Sequence, residues 1–229
     1  MTMTPVADPT SAKQADTTGK PMRKIWIDGE FVDQANASVS VFDHGFLYGD
    51  GCFEGIRSYS GRVFKLASHL RRLYESAEKL RLTPKNPFQC PESGTVIIAD
   101  SIELYPKELY DTGLKVIVAD RPRIPIQCLD PAIKSLNYLN NILAKIEAID
   151  AGVLEAIMLN TDGYVSECTG DNLFFVKDGR VFTPPTSAGM LHGITRQFVL
   201  DTVAPACGYE VAQEMVRIES ILEADEVFL

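Results

Sequence analysis

One tryptophan, three histidines and five cysteines are spread over 229 residues, and each scarcity closes off a class of function. The histidines, His44, His69 and His192, lie far apart and give no metal-ligand spacing, so no metal site is expected. The cysteines, at 52, 90, 128, 168 and 207, have neither the close pairing of a zinc site nor the density of a disulfide scaffold, which points to reduced thiols in the cytoplasm. Basic residues are in deficit: the net charge of −9 leaves nothing to neutralise a nucleic acid or an anionic membrane. No apolar run reaches the length of about 18 residues that a membrane-spanning helix needs. Neither a Gly-x-Ser-x-Gly elbow nor a P-loop occurs, and hydrolase and nucleotide-binding readings have no support.

What is present is a hydrophobic content of 45%, enough for a sizeable core in one large or two small domains. Residues 1–23, rich in Thr, Ala, Pro and Lys, lack the apolar segment of a secretory signal and read as a disordered tail. Lys24 to Asp33 predicts a hairpin turning at Asp28-Gly29, because this pair adopts the positive φ angles of a type I′ turn. A second hairpin is expected from Phe53 to Tyr59 and Arg62 to Phe64, joined at Ser60-Gly61. Leu70, Leu73, Tyr74, Ala77 and Leu80 then recur at helical spacing behind Ser68 as N-cap.

Pro84, Pro87, Pro91 and Gly94 punctuate the chain and mark a boundary. The organisation read from this is a small N-terminal domain over 24–88, a linker over 89–94 and a large domain over 95–229. Thr95 to Ala99 and Leu114 to Ala119 are expected as buried strands of the large domain, around a short helix opening near Pro106. Helices are predicted over Tyr138 to Asp150 and Thr195 to Ala206, and strands over Ala156 to Leu159 and Leu173 to Val176.

Chemistry concentrates in three blocks: Lys134-Ser135-Leu136-Asn137-Tyr138-Leu139-Asn140, Ser166-Glu167-Cys168-Thr169-Gly170-Asp171-Asn172-Leu173-Phe174, and His192-Gly193-Ile194-Thr195-Arg196. Singly, each has an ordinary reading as a surface lysine, a turn-capping glutamate or a helix start. Together they offer an amine that can form a Schiff base, a carboxylate for a ring nitrogen and a phosphate cradle at a helix N-terminus. Those are the needs of pyridoxal phosphate.

With Asp43-His44-Gly45-Phe46-Leu47-Tyr48-Gly49-Asp50-Gly51, Phe53-Glu54-Gly55-Ile56-Arg57 and His69-Leu70-Arg71-Arg72-Leu73, these blocks make the chain from Trp26 to Phe228 resemble the class IV aminotransferases. It is most similar to the branched-chain amino acid aminotransferases. The resemblance implies an α/β (α+β) fold of type IV in two domains, the D-amino acid aminotransferase-like architecture. It implies pyridoxal phosphate joined to Lys134, with Glu167 on the ring nitrogen, Tyr138 on the ring hydroxyl, and Arg72, Gly193, Ile194 and Thr195 on the phosphate. Tyr48, Phe53, Gly55 and Arg57 map to the side-chain pocket, and Asn172, Asp171 and Cys168 read as structural. The implied reaction moves an amino group from leucine, isoleucine or valine to 2-oxoglutarate in a homodimer. A D-amino acid aminotransferase or an aminodeoxychorismate lyase is the alternative within the family, which Arg57 disfavours.

Against that pattern, the family's helix and paired strands between Phe88 and Cys90, with their Tyr-x-Arg strand, are missing. The chain ends at Leu229, where the family continues into a Thr-Gly-Thr turn. The expectation is therefore a truncated small domain, with a catalytically impaired cofactor-binding remnant or an assembly partner of a full-length homologue as the alternative function.

Overall fold

The computed structural model describes residues 23–82, 93–101 and 105–229. The expected tail up to residue 22, Pro84, Pro87, Pro91, Cys90 and most of the expected linker lie outside the described residues. In chain order the elements are β1 (Lys24–Ile27), β2 (Glu30–Asp33), α1 (His44–Tyr48), β3 (Ser58–Tyr59), β4 (Arg62–Val63), α2 (Leu66–Lys79), β5 (Val96–Ile98), α3 (Glu108–Thr112), β6 (Val116–Val118) and α4 (Leu139–Asp150). There follow β7 (Glu155–Leu159), β8 (Val165–Cys168), β9 (Phe174–Lys177), β10 (Arg180–Thr183), α5 (Ile194–Phe198), a π turn (Val199–Val203), α6 (Ala204–Ala206), β11 (Glu210–Gln213), α7 (Ile218–Leu222) and β12 (Glu226–Phe228). This mixture of helices with parallel and antiparallel strands is the expected α+β class. The elements form two compact units, one holding residues 23–41 and 93–101, the other 42–82 and 105–229.

In the first unit β1 pairs antiparallel with β2 in the register Trp26↔Phe31, and the turn falls on Asp28 at φ 48° and Gly29 at φ 105°. The hairpin is the one that Asp-Gly predicts. On its other side β1 pairs antiparallel with β5, and Asp28 Oδ1 accepts from the Thr95 N–H at 2.6 Å. This corrects the reading of Thr95 to Ala99 as a buried strand of the large domain. A short continuous apolar run suggests burial on both faces, but β5 spends its backbone on β1 as an edge strand, and Val96, Ile97 and Ile98 stay exposed.

The second unit is built on a three-stranded sheet, β6-β7-β8, and a four-stranded sheet, β11-β10-β9-β12. β6 runs parallel to β7, which pairs antiparallel with β8. Ile157, Val165, Cys168, Leu173, Phe175, Val216 and Ile221 pack between these strands and α7, and Phe174, Val181, Leu200 and Ala204 fill the space under the helical segment 194–206. Pro205 has no N–H to offer the preceding turn, and the helix ahead of it widens to π geometry.

Two helices bury a face other than their most hydrophobic one. In α4 the buried side is Asn141, Ala144 and Ala148, whose small side chains let the helix lie close on Ala156 and Met158, while Leu139, Ile142, Ile146 and Ile149 are exposed. In α2 the buried residues are His69 and Ser76, while Leu70 and Tyr74 of the expected apolar stripe are exposed. This helix starts at Leu66, with Lys65 as N-cap at φ 49°, so Ser68 is inside it and not its cap. The reason lies in polar partners that wait for His69 and Ser76.

Sequence reading missed β8, β10, β11, α7 and β12, which are short or carry polar residues. The second hairpin's strands are confined to Ser58–Tyr59 and Arg62–Val63, with Ser60 at φ 50° and Gly61 at φ 78°; the Phe64 N–H still donates to Arg57 O at 2.8 Å beyond them, whereas Cys52 and Phe53 pair with the lysine loop. Ala144 has no exposed surface, so Ala144→Leu is expected to cost about 1–3 kcal/mol through overpacking. Urea denaturation of the variant measures this, and a loss below roughly 0.5 kcal/mol would mean the alanine face is not the packed one.

Candidate active site

Lys134 lies in the loop that leads into α4, and backbone pairing fixes this loop. Cys52 and Ser135 form an isolated antiparallel bridge, the Phe53 N–H donates to Lys134 O at 3.0 Å, and the Leu136 N–H donates to Gly51 O at 2.8 Å. A methyl at Gly51 would run into the Leu136 side chain, and Gly49, at φ 72°, faces the Asn137 backbone. The run from Asp43 to Gly51 is therefore a packing device: Asp43 caps α1 by accepting from the Phe46 N–H at 2.9 Å, and the glycines that follow let the chain lie against the lysine loop. From α2, Ser76 Oγ accepts from the Lys134 N–H at 3.2 Å, which explains its burial in that helix.

The Lys134 amine sits 4.5 Å from the Phe53 ring centroid and 5.6 Å from that of Tyr138, and the two rings meet edge to face. Among the described residues no carboxylate or other hydrogen-bond acceptor contacts Nζ. Burial lowers its pKa, and the charge of Arg72 lowers it further against the opposing pull of Glu54, Glu167 and Asp171. Tyr138 is half-buried at the start of α4, and burial together with the Glu167 charge raises its hydroxyl. A cavity of about 290 Å³ opens here, lined by Arg123, Lys134, Tyr138, Asn140 and Leu191 among others.

Arg72 is fixed from two directions. Its Nε and Nη2 donate to the two oxygens of Glu54 at 2.7 and 2.6 Å, and its Nη1 donates to His192 O at 3.0 Å. His69, one turn earlier on α2, places Nδ1 2.7 Å from Glu54 Oε2. Burial pushes the Glu54 carboxyl up, but the hydrogen bonds and charges of Arg72 and His69 outweigh it and hold the group below its ordinary value. The fork leaves one N–H on each terminal nitrogen of Arg72 free to meet an anion.

The bond to His192 O brings Arg72 to the turn Gly193-Ile194-Thr195, where α5 begins with Gly193 as N-cap. N–H groups in a first helical turn have no intrahelical acceptor, and the helix dipole favours an anion there. A side chain at Gly193 would collide with Asn172 Oδ1. The glycine is therefore demanded from inside: Asn172 turns its Nδ2 toward Leu191 O at 3.1 Å and Glu167 Oε2 at 3.3 Å.

Glu167, on β8 opposite Met158, is buried. Its Oε1 accepts from Arg123 Nε at 2.7 Å, and its Oε2 accepts from the Leu191 N–H at 3.1 Å as well as from Asn172. Burial pushes its carboxyl above the ordinary value, and the Arg123 charge and hydrogen bond reduce that rise without cancelling it. Next to it Asp171 accepts from the Tyr105 hydroxyl at 2.8 Å, which also lies 3.2 Å from Glu155. Glu155 carries bonds from Lys145, Thr169 and the Ala156 N–H and braces β7.

The residues singled out in the sequence do not all converge. Phe53 walls the lysine and Arg57 is half-buried, whereas Gly55 is exposed with open space around it, and Tyr48 is 69% exposed with its ring edge-on to His44. Glu54, His69, Arg123 and Asn140 belong to the site's framework and were not selected by sequence. Glu54 and His69 lie inside the blocks Phe53 to Arg57 and His69 to Leu73, and Asn140 ends the stretch that follows Lys134, whereas Arg123 carried no signal. Among the described residues no group of three or more His, Cys, Asp or Glu is placed to hold a metal, and no helix is long and apolar enough to cross a membrane.

A profile of the class IV amino-transferase family matches residues 81–229. A relative from Methanocaldococcus jannaschii is 40% identical, covering 90% of this chain and 83% of its own. The branched-chain-amino-acid aminotransferase of Escherichia coli K12 is 32% identical, with 93% and 82% covered. Among solved structures, the branched-chain amino acid aminotransferase of E. coli superposes with a TM-score of 0.84 at 31% identity over 90% of this chain and 82% of its own. A T.th. branched-chain amino acid aminotransferase complexed with N-(5′-phosphopyridoxyl)-L-glutamate gives a TM-score of 0.81 at 30% identity, covering 94% and 82%.

Glu54 in the folded protein titrates below its ordinary value of 4.5. Its stabilising effect is therefore present above that value and is lost as pH falls through the lower, folded one. Glu54→Gln should lower stability by about 3–5 kcal/mol at neutral pH, and the gap to the unsubstituted protein should narrow under acid. Urea unfolding at both pH values checks this; a gap that widens under acid would refute the assignment.

Proposed function

We infer, because the chain belongs to the class IV aminotransferase family, that it transfers the amino group of leucine, isoleucine or valine to 2-oxoglutarate, with pyridoxal phosphate held at Lys134. The observation that carries this reading is a half-buried amine with no ion-pair partner among the described residues, walled by Phe53 and Tyr138 and set among Arg72, Glu54 and Glu167. Desolvation of this kind raises the share of neutral amine, the form that attacks a carbonyl.

The donor set fits the cofactor. Arg72 keeps two N–H groups beyond those given to Glu54 and His192 O, and the first turn of α5 adds the N–H groups of Ile194 and Thr195; these suit a phosphate. Glu167 has bonds on three of the roughly four acceptor directions of a carboxylate, which leaves one for a ring nitrogen. Tyr138, its hydroxyl kept protonated by burial, suits the ring oxygen. When bound, pyridoxal phosphate supplies an aldehyde that condenses with an amine and a ring that takes up the electron pair left by the departing α-proton. The residues do the rest: Lys134 Nζ takes up and returns the substrate's α-proton, Glu167 holds the proton on the ring nitrogen, and Phe53 and Tyr138 keep water from the amine.

Branched-chain substrates are the reading favoured by the relatives' activity and by the aromatic wall of Phe53, with Arg57, Gly55 and Tyr48 completing the pocket. A homodimer in the cytoplasm belongs to the same proposal. Its support is the family resemblance, the four described cysteines being free thiols, and the exposed Tyr48, which a second copy would cover.

Borohydride reduction of the protein incubated with pyridoxal phosphate, followed by peptide mass spectrometry, is expected to place the adduct on Lys134. Lys134→Ala should lose both the adduct and about a thousandfold or more of leucine–2-oxoglutarate transamination. A folded protein with no adduct at Lys134, or with equal turnover in the variant, would overturn the proposal.

A further inference from the structure

One element of the site has no assigned task. Arg123 is buried at the end of the segment that leaves β6, its Nε 2.7 Å from Glu167 Oε1, with both side chains under one tenth exposed. Its Nη1 donates to Asn140 Oδ1 at 2.9 Å, and the same Oδ1 accepts from the Ile124 N–H at 3.0 Å while Asn140 Nδ2 donates to Pro122 O at 2.9 Å. Asn140 on α4 thus grips the backbone on both sides of Arg123, and the Arg123 N–H, donating to Leu159 O at 2.7 Å, ties that backbone to β7. The guanidinium is held on a rigid frame drawn from α4 and β7, aimed at a carboxylate on β8.

We propose that Arg123 is a positioning residue: it keeps Glu167 ionised and aimed, so that the proton shared between Glu167 and a cofactor's ring nitrogen stays on the ring. This rests on the cofactor reading given above. One proton has two possible holders. If Glu167 carries it, the carboxylic acid donates to a neutral ring; if Glu167 is ionised, it accepts from a protonated ring, which is the better electron sink. In a site this dry, burial by itself favours the protonated acid. The charged and titratable groups that act on Glu167 are Arg123 and Lys134, both cationic, with Tyr138 and Asp171 close by. Arg123 alone of these contacts it, and a guanidinium remains charged at any physiological pH, whereas Lys134 gives up its charge in the reaction.

The test uses the full chain loaded with pyridoxal phosphate carrying ¹⁵N in the ring, and compares the unsubstituted protein with Arg123→Met, Arg123→Lys and Glu167→Gln. Borohydride trapping at Lys134 first establishes loading. The ring-nitrogen resonance is then followed by NMR across neutral and mildly alkaline pH. The unsubstituted protein and Arg123→Lys are expected to show the protonated-ring shift throughout. Arg123→Met should move to the unprotonated-ring shift, as Glu167→Gln does, and combining the two substitutions should move it no further. Should Arg123→Met not fold, Arg123→Gln retains a hydrogen-bond donor while losing the charge and gives the same reading. A loaded Arg123→Met or Arg123→Gln protein that keeps the unsubstituted shift reduces Arg123 to a structural role and overturns the inference alone. Absence of any adduct at Lys134 in the unsubstituted protein instead removes the cofactor reading, and the inference falls with it.

Discussion

Charges taken out of water must meet opposite charges, and that constraint organises the second unit. Glu54, Arg72, Arg123 and Glu167 all have side chains that are almost wholly buried. An uncompensated ion in such surroundings would cost several kcal/mol, so each carboxylate draws a guanidinium from a distant part of the chain. Glu54 pulls α2 onto the segment that follows α1, and Glu167 pulls the end of β6 onto β8. The pairs fix where these elements lie, and Arg123 lines the cavity beside Lys134. Lys134 is the exception: its amine has aromatic faces in place of a counterion, and the consequence appears in its lowered basicity.

The same network explains which faces the helices bury. A hydrophobic stripe ordinarily directs a helix inward, yet α2 turns His69, Arg72 and Ser76 toward the site and leaves Leu70 and Tyr74 outside. Glu54 and the Lys134 backbone accept or supply the bonds those residues need. In α4 close approach replaces charge, since Ala144 and Ala148 let the helix reach β7 and so carry Tyr138 and Asn140 to the cavity.

Glycines set the remaining distances. Gly49 and Gly51 admit the lysine loop against the chain after α1, and Gly193 admits Asn172 between the α5 turn and Glu167. Through Asn172 and Leu191 the carboxylate end and the helix-terminus end of the site become one bonded assembly, separated by a fixed span. The site therefore offers an anion-binding turn at one end and a carboxylate at the other, held in a fixed relation.

Much of this was legible in the chain itself. Asp28-Gly29 and Ser60-Gly61 specify their turns locally, since few residues tolerate positive φ, and the long helices announced themselves by period. Lys134, Glu167 and Gly193-Ile194-Thr195 stand out because their chemistry is rare in combination, and the family they point to is the one to which the chain belongs. The edge position of β5, the polar inner face of α2, and the contacts that join Arg123 to Glu167 and Asn140 were not legible. Each depends on a partner 15 or more residues away, and no local pattern encodes such pairing. Sequence determined which chemical groups the protein possesses and how its turns bend, because those follow from side-chain type and backbone sterics. Tertiary structure decided which of them leave water together, because the cost of burying a charge is settled only by what stands next to it.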